Sequence, residues 1–226
     1  MPNRISRVTR SKESARASYN RMSRFYDLLA GSSEHKFVES GIEKLGIKEE
    51  GKILEIGFGT GHALASLAQA VGKKGKVYGI DISEGMFAVA RKKLKKAGLS
   101  DRVELTQDDA LHLPYSSRSF DAVFMGFTLE LFDTPEIPQV LAECRRVLTL
   151  KGRICVVAIS KEGKDNLMMR LYEWAHRRFP AYVDCRPIYL RETLEDAGFQ
   201  ILDCEIMTML GLPVEILLGA NQSKRC

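Results

Sequence analysis

Apolar side chains recur along this chain in two rhythms that take turns. Short apolar-rich runs with turn chemistry nearby predict strands at 52–56 (KILEI), 76–81 (KVYGID), 102–106 (RVELT), 119–125 (SFDAVFM) and 153–159 (RICVVAI). Between them the spacing changes to that of helices. Leu64, Leu67, Ala68 and Val71 form one stripe, Met86, Val89, Ala90, Leu94 and Ala97 a second, and Ile137, Val140, Leu141, Cys144 and Leu148 a third. Strands this apolar, alternating with helices, predict a parallel sheet covered on both faces, because right-handed crossovers place helices above and below it.

The rhythm differs at both ends. Upstream, Ala15, Tyr19, Met22, Tyr26 and Leu29 share one face of a helix predicted over 14–30, closed by Gly31, and a second short helix covers 34–45. Downstream, residues 161–188 interrupt the alternation with an insert. Its helix carries Leu167, Met168, Met169, Leu171, Tyr172, Trp174 and Ala175 around more than one face. After a helix at 189–197, strands at 199–207 and 213–219 are separated by a turn containing Gly211 that is too short for a parallel crossover, so they pair as an antiparallel hairpin.

Composition narrows the class. The chain of 226 residues is 45% hydrophobic and 28% charged, ordinary for a globular domain with a sizeable core. The net charge of +5 is concentrated: Arg4, Arg7, Arg10, Lys12, Arg16, Arg21 and Arg24 face a single acid, Glu13, within residues 1–24, and the remainder is close to neutral. Such an arm can close over a site, lie on anionic lipid, or meet nucleic-acid phosphates. Outside it, positive charge is confined mainly to RKKLKK at 91–96, a solvated helix face, which makes nucleic acid the weakest of the three. Five scattered cysteines without a C-x-x-C pair argue against a disulfide framework or a zinc site and fit a reducing cytoplasm. The sequence holds neither an apolar run of about 18 residues nor a secretory h-region.

The chemistry centres on LEIGFGTG at 54–61, at the carboxyl end of the first strand, where open parallel sheets bind ligands. A dinucleotide fingerprint would read G-x-G-x-x-G; here the glycines are Gly57, Gly59 and Gly61, and His62 stands where the last glycine would fall. Asp81 ends the second strand, placed to accept from ribose hydroxyls, a feature shared with dinucleotide enzymes. QDDALHLPY at 107–115 follows the third strand, FDAVFMGFTLELF at 120–132 contains the fourth, and LAECRRVLTLKGRICVV at 141–157 leads into the fifth.

In this order the motifs resemble those of the class I S-adenosylmethionine-dependent methyltransferases. The resemblance covers roughly residues 20–160. It implies an α/β, doubly wound, Rossmann-like sheet of seven strands, mostly parallel with a C-terminal antiparallel hairpin and helices on both faces. It also implies S-adenosyl-L-methionine as cofactor and S-adenosyl-L-homocysteine as product. It assigns the cofactor to Glu55, Gly57, Phe58, Gly59, Thr60, Gly61, Asp81, Ile82, Met86, Asp109, Ala110 and Phe127, with Glu55 supporting the loop and the methionine ammonium. Asp109 and Ala110 take the adenine, and Asp108 is the lesser candidate. Leu150 and Arg153 depart from the family's proline and second glycine, at a turn. YNRMSRFYDLLAGSSEHKF at 19–37 is most similar to the ubiquinone and menaquinone C-methyltransferases, which places Tyr26, with Asp27, over the cofactor; of that group's longer motif only Ser33 and His35 are matched.

These likenesses divide the chain into an N-terminal helical arm or lid, 1–45, and a methyltransferase domain, 46–226, with the insert at 161–188. They imply methyl transfer to a small or lipophilic acceptor of the quinone-precursor kind. A phospholipid amine N-methyltransferase and a non-catalytic binding subunit of the same fold are the alternatives. Glu130 is the candidate general base or acceptor-binding acid. The insert helix is a candidate lid over an apolar acceptor, a dimer contact or ordinary core, and Cys185, Arg186 and Tyr189 are candidate pocket residues by position. No metal site and no nucleic-acid partner are expected, and the protein is expected in the cytoplasm, with peripheral membrane contact through the basic arm as an option.

Overall fold

The computed structural model describes residues 5, 7–8, 11–22, 32–162, 167–179 and 185–221. Seven strands form one sheet in the order β3-β2-β1-β4-β5-β7-β6. β1 (Lys52–Ile56), β2 (Lys76–Asp81), β3 (Val103–Gln107), β4 (Phe120–Gly126) and β5 (Leu148–Ile159) run parallel. β6 (Phe199–Met209) and β7 (Leu212–Asn221) form the antiparallel hairpin, with β7 inserted between β5 and β6. After β1 the chain proceeds to β2 and β3 on one side and later returns to β4 on the other, so a crevice opens at the carboxyl ends of β1 and β4.

The two-residue period of the strands sorts their side chains into two cores. On one face Ile53, Phe124, Cys155 and Val157 meet α2 (Ser32–Leu45), α3 (His62–Ala70) and α4 (Glu84–Lys96) through Phe37, Leu64, Leu67, Ala90 and Leu94. On the other, Leu54, Val123, Ile154 and Val156 meet α5 (Ile137–Val147) and α7 (Leu190–Asp196) through Val140, Leu141, Leu190 and Leu194. The three helical stripes seen in the sequence contain the buried faces of α3, α4 and α5, except that Val89 is half-buried, Ala97 is exposed just past α4 and Leu148 opens β5.

Most boundaries shift by one or two residues, and three differences matter for the site. β5 begins at Leu148 rather than 153, and its pairing with β4 jumps from Phe120↔Leu148 to Ala122↔Arg153. The expected turn around Leu150 is therefore a bulge within a strand, which accommodates the missing proline and glycine without a break. Helix α1 (Lys12–Met22) covers the first part of the helix expected over 14–30; residues 23–31 lie outside the described residues, and Tyr26 and Asp27 with them. Helix α2, assigned by the sequence to the arm, buries Phe37, Val38, Ile42 and Leu45 in the domain core. Among the described residues, no helix is long and apolar enough to cross a membrane.

Candidate active site

The crevice is a cavity of about 520 Å³, within the roughly 300–1,000 Å³ typical of small-ligand pockets. Its floor is the loop after β1. Gly57 takes φ +72°, and a Cβ there would lie 2.4 Å from Thr128 Cγ2; Gly61 caps α3 at φ +80°. At both points a side chain would collide or strain the backbone, which is the physical reason for glycine. A Cβ on Gly59 would meet nothing within 4 Å, so the loop backbone is open on that side.

Asp81 fastens this loop. Its Oδ2 accepts from Gly59 N at 2.9 Å and its Oδ1 from Ser83 N at 2.8 Å. Burial raises its pKa, opposed by those two backbone donors. Beside it Glu55, 3% exposed, lines the cavity with an Oε2 that has no hydrogen-bond partner. Burial, and then the charge of Asp81, push the Glu55 carboxyl well above the usual carboxylate range. An acid buried in this way calls for a cationic donor.

The remaining walls come from loops at the strand ends. Phe58, Thr60, Ile82, Met86, Asp108, Asp109, Ala110, Phe127 and Thr128 all face the cavity. Asp109 Oδ1 accepts from Leu111 N at 3.0 Å, while Asp108 Oδ1 accepts from Asp109 N, so Asp108 spends that oxygen holding its neighbour. Phe127 is held at φ +51°, with its N–H donated to Val157 O, and packs edge-on against Phe37 of α2. A strained non-glycine residue at a strand end is a common mark of a functional loop.

The structure separates Glu130 from this group. It lies in a single 3-10 turn, Leu129–Leu131, is fully buried, and its Oε1 accepts from Ile159 N at 3.3 Å; its side chain is not part of the cavity wall. Arg186, also fully buried, donates to the carbonyls of Glu130 and Phe132 and to Thr134 Oγ1, clamping the 129–134 segment from behind. Tyr189 precedes α7 away from the cavity. No residue of the insert helix α6 (Leu167–Arg178) faces the cavity; among the described residues of the insert Cys185 does, and its carbonyl accepts from Tyr172 Oη at 2.9 Å.

The sequence offered the N-terminal arm as a cover but did not disclose its partners. Val8, Ser11, Lys12, Ala15 and Tyr19 line the cavity from the N-terminal segment. Lys12 Nζ bridges Asp109 Oδ2 at 2.6 Å and Glu136 Oε1 at 3.0 Å. Arg7 Nε meets the two oxygens of Asp133 at 2.8 and 2.9 Å, and Val8 N donates to the same carboxylate. Arg7 holds Asp133 down to about 2. At the far end of α1, Asn20 Oδ1 accepts from Ser83 Oγ and Gly85 N. Asp133 and Glu136 carried no motif, and only the excess of base over acid in residues 1–24 hinted that acids elsewhere would receive it.

Sheet order, glycine loop and strand-end carboxylates together define a protein of the S-adenosylmethionine-dependent methyltransferase class. Residues 53–152 match a methyltransferase-domain family. A demethylmenaquinone methyltransferase of Lactobacillus johnsonii is 33% identical over 147 residues, 63% of this chain and 59% of that protein. The ubiquinone/menaquinone biosynthesis C-methyltransferase UbiE of Cellvibrio japonicus is 30% identical over 174 residues, 77% of this chain and 68% of that protein. An Aquifex aeolicus SAM-dependent methyltransferase structure superposes with TM-score 0.66 at 26% identity, covering 88% of this chain and 97% of that one. The chain belongs to the methyltransferase family that includes the ubiquinone/menaquinone C-methyltransferases and the demethylmenaquinone methyltransferases. It spans about three fifths of the length of the first of these relatives.

The residues present fit the cofactor of that class. Glu55 offers a buried, unpartnered oxygen to an ammonium, Gly59 leaves the loop backbone open, and Asp81 and Asp109 place carboxylates on the same cavity. Among the described residues, no group of three or more His, Cys, Asp or Glu side chains is placed to hold a metal ion.

Proposed function

We propose that this protein methylates a small or lipophilic hydroxylated acceptor of the quinone-precursor kind, using S-adenosyl-L-methionine. The observation that carries the reading is the Glu55–Asp81 pair: one acid with an unsatisfied buried oxygen, the other pinned by two backbone donors, both facing one cavity.

Glu55 would hold the cofactor's ammonium, Asp81 its ribose and Asp109 its adenine amino group, while Phe58, Ile82, Met86, Ala110 and Phe127 give it apolar walls. The bound cofactor supplies a methyl group already activated on a sulfonium. The protein's own task is then positioning and exclusion of water. Phe127, fixed by its backbone bond to Val157 and by Phe37, presents an apolar edge beside Val38 and Cys185 against which an aromatic acceptor can lie. Residues 7–8 and 11–22 act as the lid. Arg7 and Lys12 are paired with acids of the domain, which favours closure of the arm over contact with anionic lipid. This reading suits a cytoplasmic protein that meets its acceptor in solution or at a membrane surface. Glu130 is better suited to supporting the 129–134 turn than to proton transfer.

Calorimetry with S-adenosylhomocysteine tests the cofactor, and mass spectrometry of hydroxylated naphthalene and benzene acceptors tests the reaction. Binding, together with acceptors heavier by about 14 mass units, one CH₂ per methyl transferred, is the expected result. Failure to bind, or binding of NAD in its place, refutes the cofactor; binding without methylation of any acceptor refutes the activity and favours a non-catalytic subunit.

A further inference from the structure

Two imidazoles face each other on the cavity wall. His35 of α2 and His62, the first residue of α3, stack with ring centroids 3.6 Å apart and planes 9° from parallel, and both line the cavity. Glu39, one turn beyond His35, places Oε1 2.9 Å from His62 Nε2, close but not aligned as a hydrogen bond, and is itself fixed by a 2.7 Å bond from Ser66 Oγ. We propose that His62, stacked on His35 and backed by Glu39, is the proton acceptor of this site, taking the hydroxyl proton of a phenol- or enol-type acceptor. The inference rests on the methyl-transfer reading and adds to it the group that takes the acceptor's proton.

Three features support this role. Two rings stacked at 3.6 Å repel each other strongly if both are charged, so the stack disfavours a second positive charge beside the first. The groups facing His62 are His35 and Glu39 from α2 and Lys93 from α4, whose Nζ reaches Thr60 Oγ1 at 3.3 Å. Burial, then His35, lower the His62 pKa, with Lys93 adding to the effect and Glu39 opposing it, so the ring is neutral and ready to accept. The start of α3 carries no acid in its first turn, and its positive end acts in the same direction.

The pair also stands where an acceptor would be. Glu34, His35 and Val38 bring α2 to the cavity, Phe37 ties that helix to Phe127, and Cys185 Sγ lies 3.9 Å from Phe127 O. An aromatic ring against this apolar stretch has a base on the same wall. In the step itself the acceptor's O–H bond breaks and its electron pair stays on oxygen. The imidazole lone pair forms the new N–H bond, and the resulting imidazolium is stabilised by Glu39. Glu39 or solvent then relays the proton outward.

The test combines imidazole NMR titration with kinetics, using 1,4-dihydroxynaphthalene as the probe acceptor. The chain holds four histidines, so single variants assign every ring. His35→Gln is expected to raise the His62 pKa and Glu39→Gln to lower it. The acidic limb of the kcat profile should move in the same directions. His62→Gln is expected to lower kcat about 10²- to 10⁴-fold and abolish that limb, while Kd for S-adenosylhomocysteine changes less than twofold. A His62 pKa unmoved by His35→Gln, or a His62→Gln enzyme with wild-type rate and profile, overturns the proposal alone. A wild-type protein that binds S-adenosylhomocysteine but methylates no hydroxylated aromatic overturns the proposed function, and the base role with it.

Discussion

Replacing Glu55 with glutamine should make the protein more stable without its cofactor and worse at binding it. The carboxyl is 3% exposed, one oxygen has no partner, and Asp81 is its charged neighbour. A raised pKa means that the folded protein holds the Glu55 proton more tightly than the unfolded chain does. Stability from this group is therefore greatest in acid and falls as pH rises from the unfolded value near 4.3 towards the folded one, after which it levels off. Each unit of upward shift costs the folded state about 1.4 kcal/mol above that window. Glutamine keeps the shape and cannot ionise, so the variant escapes this penalty. At pH 8 its Tm should exceed the wild-type value by about 2–4 °C for every kcal/mol relieved, a gap that closes towards pH 4.5.

Ligand binding should reverse the order. A carboxylate–ammonium hydrogen bond contributes about 1.5–3 kcal/mol, so Glu55→Gln should weaken S-adenosylhomocysteine binding roughly 10- to 150-fold. Because the bound ammonium needs an ionised partner, wild-type binding releases a proton wherever Glu55 is protonated in the free protein. Affinity should then rise up to tenfold per pH unit in that range, a dependence absent from the variant. Differential scanning calorimetry from pH 5 to 8.5, with and without the ligand, measures both effects. A variant that melts at or below wild type at pH 8 without ligand, or binds within twofold of it, would refute this account of the buried acid.

Other perturbations act on the frame of the site. Gly57→Ala places a methyl 2.4 Å from Thr128 Cγ2 at φ +72° and should cost about 2–4 kcal/mol in urea unfolding; adding Thr128→Ala should recover part of the loss, and no recovery would mean that backbone strain dominates. Arg186→Met strips the carbonyls of Glu130 and Phe132 and the Thr134 hydroxyl of a buried donor and should destabilise by about 3 kcal/mol or more, which thermal melting would detect. Lys12→Ala breaks two half-exposed ion pairs worth together about 1 kcal/mol at most, so Tm should barely move, yet trypsin should cut within residues 7–22 much sooner. Unchanged cleavage would show that the arm is held by its apolar contacts.

What the sequence could reveal was set by range. Glu55, Gly57, Asp81 and Asp109 reach one cavity because each stands at a strand end, and the strand, loop and helix around it are encoded within a dozen residues. The contacts Lys12–Asp109 and Arg7–Asp133 join residues about a hundred apart or more, and the His35–His62 stack joins two helices that meet only once the core between them has formed. Glu130 shows the converse: its position in the loop after the fourth strand pointed to the cavity, but one 3-10 turn rotates its carboxylate towards the end of β5. Helix α6 was apolar on too many faces for any rule to choose one. In the structure Met169 and His176 are its buried members, while Leu167, Leu171 and Trp174 stand exposed.

The placement of β7 bears on how the chain assembles. The strand that borders β5 is the last in sequence, and the strand that precedes it lies at the sheet edge. During synthesis every residue now named in the cavity, up to Cys185, has been made while β5 still presents a bare row of amide and carbonyl groups, and that row stays open until residues 212–221 arrive and slot in beside it. An open edge of this kind invites pairing with another chain. Shortening the protein before residue 212 would leave the proposed catalytic cavity's sequence intact and still produce a chain prone to aggregate.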